Sequence, residues 1–507
     1  MVLKNISFLF VLYISFLTVQ ATHAQIAPKR EFRGVWVATV QNIDWPSKRG
    51  LASDMQQQEL LNILNEHQKS GINAIMLQIR PSADALYAKS REPWSMFLSG
   101  KQGLVPQPFY DPLKFAIDEA HKRAMELHAW FNPYRATNDL IDSNISANHI
   151  TRTHPEWFFT YGGKKYFNPG LSEVRNYIIS VIMDVVHHYD IDGVHFDDYF
   201  YPYPGKEKLP DTATYAQYGK GFDDINNWRR HNVDTLIRTL SDSIHSAKKY
   251  VKFGISPFGI WRNLKDDPNG SQSNGLSGYS ALFADARNWT RSGWVDYINP
   301  QLYFPFYYPA APYEKLLDWW SKNIFNKHLY IGQGVYRAME NREGWRDKKQ
   351  LPNQVRELRK NPRVEGSIFF SSKSLTDNLA GFQDSLRTEF YQYPALQPQM
   401  IWLGESAPMP PGLHASYLNH QVKLTWYYNK VHWPKGVYGY VIYRFNKGQK
   451  PDLNYPQNII KISFDKTLRS YSDVTATAGA SYKYVITAID RLKNEGWRSN
   501  IVAVNIK

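Results

Sequence analysis

Eight short apolar runs, separated by amphipathic stretches, occupy the first three-quarters of this chain and limit its folds more than any other feature. The runs are 32–40, 72–81, 126–134, 192–199, 252–259, 295–304, 328–337 and 366–374. Their length and apolar density read as buried β-strands. The stretches between them carry apolar residues at helical spacing: 53–71, with Ser53 as a cap and Gly71 as its stop, then 111–125, 171–189 and 223–249. A strand followed each time by a helix makes a parallel sheet, and eight such units close into a (β/α)8 TIM barrel. Segments 200–222 and 261–280, rich in Pro, Gly, Asn and Tyr, follow strand ends and read as long irregular loops on the barrel's open face.

A barrel of roughly 250 residues or more leaves room in 507 for a second module. Beyond residue 395 the pattern changes to a proline-spaced segment and then to short alternating runs at 420–428, 438–446, 481–490 and 499–507. Pro410-Pro411 before the first strand, Trp426 in the second and Tyr482 and Tyr484 late resemble a fibronectin type III domain. The expected division is a signal peptide at 1–24, the barrel at 25–395, a linker at 396–407 and the all-β sandwich at 408–507.

The first residues combine Lys4, an apolar run from Ile6 to Val19 and small residues at Thr22 and Ala24, the layout of a secretory signal cut after Ala24. That run is short for a permanent span, so no transmembrane segment is expected once the signal is removed. The chain has no cysteine, which rules out disulfides, thiolate metal sites, a cysteine nucleophile and a lipid anchor on cysteine. A periplasmic or cell-surface protein is expected. The formal charge of +14 favours anionic company. No recognition helix, zinc-finger spacing or concentrated Lys/Arg run points to nucleic acid, so acidic envelope polymers are the expected partners.

Barrel enzymes keep their chemistry at the C-terminal tips of the strands. Alternation places Gln78 and Arg80, Asn132 and Tyr134, His195 and Asp197, and Asn299, Gln301 and Tyr303 toward the interior. Trp261 and Arg262 follow the fifth strand. So many donors and acceptors at several strand ends suit a polyhydroxylated ligand, with Trp36, Trp45, Tyr199, Tyr203 and Trp261 as stacking surfaces. Glycoside hydrolysis usually needs two carboxyl groups. Asp197 is one; Asp198 faces in only if the strand has already ended, and otherwise the partner comes from a loop acid among Asp44, Asp84, Asp266, Asp267, Glu340 and Asp377. An N-acetylated substrate would need only one acid, because its own acetamido group can replace the nucleophile. His195 and Asp197 are too few for a metal site, and no Gly-rich phosphate loop is present, so no metal and no cofactor is expected.

Six motifs, EFRGVWVATVQNIDWPS, GINAIMLQIRPSADALY, HAWFNPYR, DGVHFDDYFYP, SPFGIWRN and INPQLYF, resemble the bacterial family called glycosyl hydrolase-like ten over roughly residues 30–380. The resemblance implies an envelope glycosidase of barrel fold, some of whose members act on peptidoglycan glycan strands stripped of stem peptides. Carried onto this chain, its motifs highlight Arg80, Asn132, Tyr134, Asp197, Asp198, Tyr199, Arg262, Gln301 and Tyr303. The fourth strand also partly resembles the chitinase signature, but Tyr199 stands where that family has glutamate. The expectation is therefore an exported glycoside hydrolase acting on peptidoglycan, with Asp197 and Asp198 catalytic. Arg80, Asn132, Tyr134, His195, Tyr199, Trp261, Arg262, Gln301 and Tyr303 would bind substrate, Arg80 holding a carboxylate or acetyl oxygen. Two rivals are a non-catalytic glycan-binding scaffold whose sandwich docks an envelope protein, and a hydrolase of a dietary or host polysaccharide.

Overall fold

The computed structural model describes residues 27–404, 407–428 and 436–506; the expected signal peptide lies outside them. Ten strands belong to the first region: β1 (Phe32–Val37), β2 (Ala74–Arg80), β3 (Glu126–Phe131), β4 (Phe158–Tyr161), β5 (Lys164–Phe167), β6 (Gly193–Phe196), β7 (Lys252–Ile255), β8 (Tyr297–Ile298), β9 (His328–Gly334) and β10 (Val364–Phe370). Eight of them close a parallel barrel in the order β1-β2-β3-β6-β7-β8-β9-β10. These are the eight runs read from the sequence. The remaining two, β4 and β5, form a hairpin in the connection after β3 that the sequence reading passes over. A helix at Thr212–Tyr218 likewise interrupts a segment expected to be irregular.

Alternation along the strands divides the apolar residues into two cores. Val35, Ile75, Leu77, Leu127, Val194, Phe196 and Phe253 face outward onto the helices, meeting Leu60, Leu64, Ile178 and Leu236. Phe32, Trp36, Met76, Trp130, Tyr297, Tyr330 and Ile368 fill the interior. Phe32 and Tyr330 stack there with ring centroids 4.1 Å apart. Gly254 makes the room: a Cβ at this position would stand 1.9 Å from the ring of Tyr297. The helix at Ser53–Lys69 starts on Ser53 itself, with Ala52 at the cap position and no side-chain cap, so Ser53 is not the cap expected of it. Gly71 does end the helix, at a φ of +73° that a side chain would resist.

One polar chain threads the interior. The Trp36 indole N–H donates to His195 Nε2 (3.0 Å), and His195 Nδ1 meets the Tyr297 hydroxyl (2.9 Å). That hydroxyl meets His128 Nδ1 (2.9 Å), and His128 Nε2 meets Glu126 (3.1 Å). Burial lowers the pKa of both imidazoles, so each is neutral, with one donor and one acceptor nitrogen.

The second region holds β11 (Gly412–Leu418), β12 (Gln421–Tyr427), β13 (Gly439–Asn446), β14 (Ile459–Ser463), β15 (Ser470–Asp473), β16 (Ser481–Ile489) and β17 (Val502–Asn505). They make two antiparallel sheets, β11-β12-β15 and β14-β13-β16-β17, closed over Leu424, Trp426, Tyr440, Ile442, Tyr484 and Ile486. The sandwich abuts the N-terminal end of the barrel. The segment 396–407, expected to be a linker, is no free tether over its described residues: Leu396 and Met400 are buried, and the Trp402 indole donates to Asp296 (2.8 Å). Leu492 joins Met400 and Leu403 in the interior core at the foot of the barrel. Beside it Lys493, fully buried with φ of +63°, sends its ammonium to 3.2 Å from Glu126 and 3.5 Å from Asp192. Lys252 bonds the same Glu126 at 2.6 Å, and Arg491 lies 3.3 Å from Asp192.

Candidate active site

At the opposite, C-terminal end the barrel opens into a cavity of about 350 Å³. Its walls include Trp36, Gln78, Trp130, Arg135, Asp197, Asp198, Tyr199, Tyr203, Phe258, Gln301, Tyr303, Tyr336, Arg337 and Phe370. The two acids reach it together because β6 ends at Phe196, so the alternation that would turn Asp198 outward no longer applies. They are the only carboxylates lining the cavity among the described residues.

A relay of side-chain amides positions Asp197. Backbone N–H groups of Thr39 and Val40 hold the Gln78 carbonyl, each at 2.9 Å, and the Gln78 amide donates to Asn132 Oδ1 (2.6 Å). Arg135 donates to the same oxygen at 3.0 Å. The orientation of Asn132 is thereby fixed, and its N–H donates to Asp197. The Trp130 indole and the Tyr199 backbone N–H add donors to Asp197 at 3.1 Å each. Asp198 accepts instead from the Tyr203 hydroxyl.

Electrostatics separates the two acids. Burial raises the pKa of Asp197, while Arg135 and the three donors oppose the rise. Burial, followed by the charge of Asp197, pushes Asp198 up to about 7. Of two adjacent carboxyl groups, Asp197 is therefore the one solvated as an anion by the protein, and Asp198 the one that carries a proton near neutral pH. An acid and an anion side by side among aromatic walls are equipped to protonate a leaving oxygen and to stabilise developing positive charge.

Of the residues expected to bind substrate, Tyr199, Gln301 and Tyr303 line the cavity with the two acids. Asn132 stands behind Asp197. His195 is committed to the interior chain one layer down, both ring nitrogens bonded. Four others are elsewhere. A register shift between Gln78 and Arg80 breaks the alternation in β2, and Arg80 leaves the interior to form a two-bond pair with buried Glu92, both contacts at 2.6 Å. Tyr134, past the end of β3, is packed in the outer core. Trp261 donates to Asp285 (2.9 Å), and Arg262 pairs with Asp267 (2.7 Å) within its own loop. Trp45 is buried with its indole on the Gln56 carbonyl.

Among the described residues, no loop acid completes the pair. Asp44 accepts from Ala38 N, Ser371 Oγ and Lys373 N, at 2.7, 2.7 and 2.8 Å, as a tie between loops. Asp84 is buried, Asp266 bonds Asn263, Asp377 caps a short helix and Glu340 pairs with Arg337 at 3.2 Å. The sequence reading missed Arg135 and Arg337 as cavity residues. Both stand just past strand ends, Arg135 within the HAWFNPYR motif, and that position alone was the available signal.

A family profile described as glycosyl hydrolase-like 10 matches residues 31–347, ending before β10. Glycosyl hydrolase YngK of Bacillus subtilis (strain 168) is 44% identical over 491 residues, which span 92% of this chain and 92% of that protein. Glycosyl hydrolase DigH of Escherichia coli (strain K12) is 38% identical over 362 residues, covering 67% of this chain and 82% of that protein. Among solved structures, the glycoside hydrolase domain of PgaB (BpsB) from Bordetella bronchiseptica aligns at 12% identity with a TM-score of 0.46, over 73% of this chain and 100% of that one. The two sequence relatives and the family match carry the assignment: the chain belongs to the glycosyl hydrolase-like 10 family and is a glycoside hydrolase.

Proposed function

We propose that this is an exported enzyme that cleaves an N-acetylhexosamine-containing envelope glycan, namely peptidoglycan strands lacking stem peptides, with Asp198 as acid and Asp197 as its charged partner. The observation that carries the reading is the consecutive pair itself: two cavity carboxyl groups from one strand end, one solvated by fixed donors and one raised to about 7. Consecutive residues approach the sugar from the same wall, which suits a substrate that brings its own nucleophile. Asp198 passes its proton to the glycosidic oxygen as the C1–O bond breaks. The acetamido carbonyl oxygen bonds to C1, and the Asp197 carboxylate accepts from the acetamido N–H and stabilises the cation. Water then opens the ring intermediate at C1 and returns a proton to Asp198, giving net retention.

Tyr199, Tyr203 and Tyr303 offer flat faces to sugar rings. Arg135 and Arg337, in place of Arg80, are the cations that line the cavity, Arg337 already 3.2 Å from Glu340, and they are the groups that would face a muramic-acid carboxylate. Export is supported by the signal-like first residues.

The test is mass spectrometry of products from amidase-treated and untreated peptidoglycan, with wild type, Asp197→Asn and Asp198→Asn. Glycan fragments from the treated material with wild type alone are expected. Equal release by Asp198→Asn overturns its role. Release only from neutral glucans or mannans moves the substrate to another polysaccharide, and binding without products from any glycan restores the scaffold reading.

A further inference from the structure

The most exposed large hydrophobic side chain among the described residues is Trp497, at 85%, and it stands on the sandwich, in the connection between β16 and β17. Its backbone is not loose. Glu495, two residues earlier, accepts from Thr487 (2.8 Å), Tyr443 and Lys29 (2.5 Å). The N–H of Gly496 donates to the Ala488 carbonyl at 2.9 Å. A Cβ on Gly496 would stand 1.9 Å from the Pro408 carbonyl oxygen, so only glycine lets the chain lie this close. The indole is thus displayed from a fixed platform, which removes part of the ordering cost of binding.

Trp497 borders a cleft of about 630 Å³ whose other walls include Lys450, Asp452, Asn454, Glu495 and Arg498. One planar ring beside many donors and acceptors differs from a protein-docking groove, which buries several apolar anchors at its centre. It matches a sugar ring, apolar on its face and polar at its rim. Lys450, Arg498 and Asp452 are in no ion pair among the described residues, while Glu495 is paired with Lys29 and Arg30, so the cleft carries one cation in excess. The complement of that excess is a carboxylate.

We propose that the sandwich carries a second glycan-binding site, centred on Trp497 with Lys450 and Arg498, for a chain of sugar rings bearing carboxylate groups. Taking peptidoglycan as that chain rests on the function proposed above; the site itself does not. It holds the enzyme on its polymer and leaves the barrel free to act.

The full chain is tested by co-sedimentation with insoluble peptidoglycan freed of its stem peptides by amidase, which exposes the muramic-acid carboxylates, and with chitin, which is neutral. Wild type is expected to be retained by peptidoglycan, with retention about tenfold weaker in Trp497→Ala and in the double variant Lys450→Ala, Arg498→Ala. Trp497→Phe keeps most of it because the flat ring remains, whereas Trp497→Leu does not. Hydrolysis of short soluble fragments is unchanged in all of them. Retention of Trp497→Ala equal to wild type, equal behaviour of the Phe and Leu variants, or no retention of wild type on either glycan overturns the site. Retention on chitin that ignores the two cations overturns its anionic preference. A protein that cleaves nothing but is retained through Trp497 keeps this site and removes the hydrolytic reading instead.

Discussion

Each end of the barrel buries a pair of acids, and the two pairs behave in opposite ways. At the foot, burial pushes Glu126 and Asp192 upward, but Lys252 and Lys493 beside the first and Arg491, His121 and Lys493 beside the second hold both well below the usual carboxylate range. At the mouth, Asp197 has Arg135 and neutral donors, and no cation is bonded to Asp198 among the described residues. Depth is the same at both ends. What differs is the supply of positive charge, and that separates an acid that seals an interface from one that can hold and release a proton.

The comparison breaks most visibly at Asp198. Replacing it by Asn should reduce hydrolysis of the preferred glycan about 10³-fold, read as initial rate with circular dichroism unchanged. A drop below tenfold would mean that the mouth holds no general acid. At the foot, Lys493→Met should leave Glu126 and Asp192 short of charge and cost roughly 3–5 kcal/mol in denaturant unfolding at neutral pH, with turnover per folded molecule preserved. In wild type this joint contributes fully above the ordinary carboxylate pKa values, and its contribution is lost as pH falls through the lowered ones.

The sign reverses at the mouth. Asp198 holds its proton up to about pH 7 when folded but only to about 3.8 when unfolded, so its burial destabilises the protein progressively as pH rises between those values. Asp198→Asn should therefore be more stable than wild type by about 2–4 kcal/mol at pH 8 and indistinguishable near pH 4. Equal stability at both pH values would remove the contrast between the ends. The smallest expected effect is at Tyr203, whose hydroxyl favours the ionised form of Asp198. Tyr203→Phe should move the alkaline limb of the activity profile to higher pH by less than about one unit.

The barrel was legible because strands buried on both faces read as continuous apolar runs, with helical spacing between them. The hairpin β4–β5 was not, since strands of four residues give alternation little room; its Gly162-Gly163 turn, both residues at positive φ, was the available sign. Asp197 and Asp198 could be read from a strand tip. Arg80 could not be placed correctly, because the register shift that expels it is not written in the local pattern. Trp261 and Arg262 were expected to bind substrate because they follow the fifth barrel strand, but beyond β7 the chain has already left the barrel. Nor does any local pattern announce Lys493, whose partners Glu126 and Asp192 lie far away in sequence; the segment before the sandwich reads as a linker only until the burial of Leu396 and Met400 and the Trp402–Asp296 bond are seen.

The polar chain inside the barrel has a consequence for direction. Trp36 at its upper end can only donate, and the Glu126 carboxylate at its lower end can only accept. Between them the His195 Nδ1–H must donate to the Tyr297 oxygen, the Tyr297 O–H to His128 Nδ1, and the His128 Nε2–H to Glu126. Every tautomer along the axis is therefore dictated, and the sequence of hydrogen bonds runs one way, from the floor of the cavity to the foot of the barrel. Neither end can reverse it without stranding a buried nitrogen or oxygen, so the interior is a ratchet of fixed dipoles rather than a reservoir of exchangeable protons.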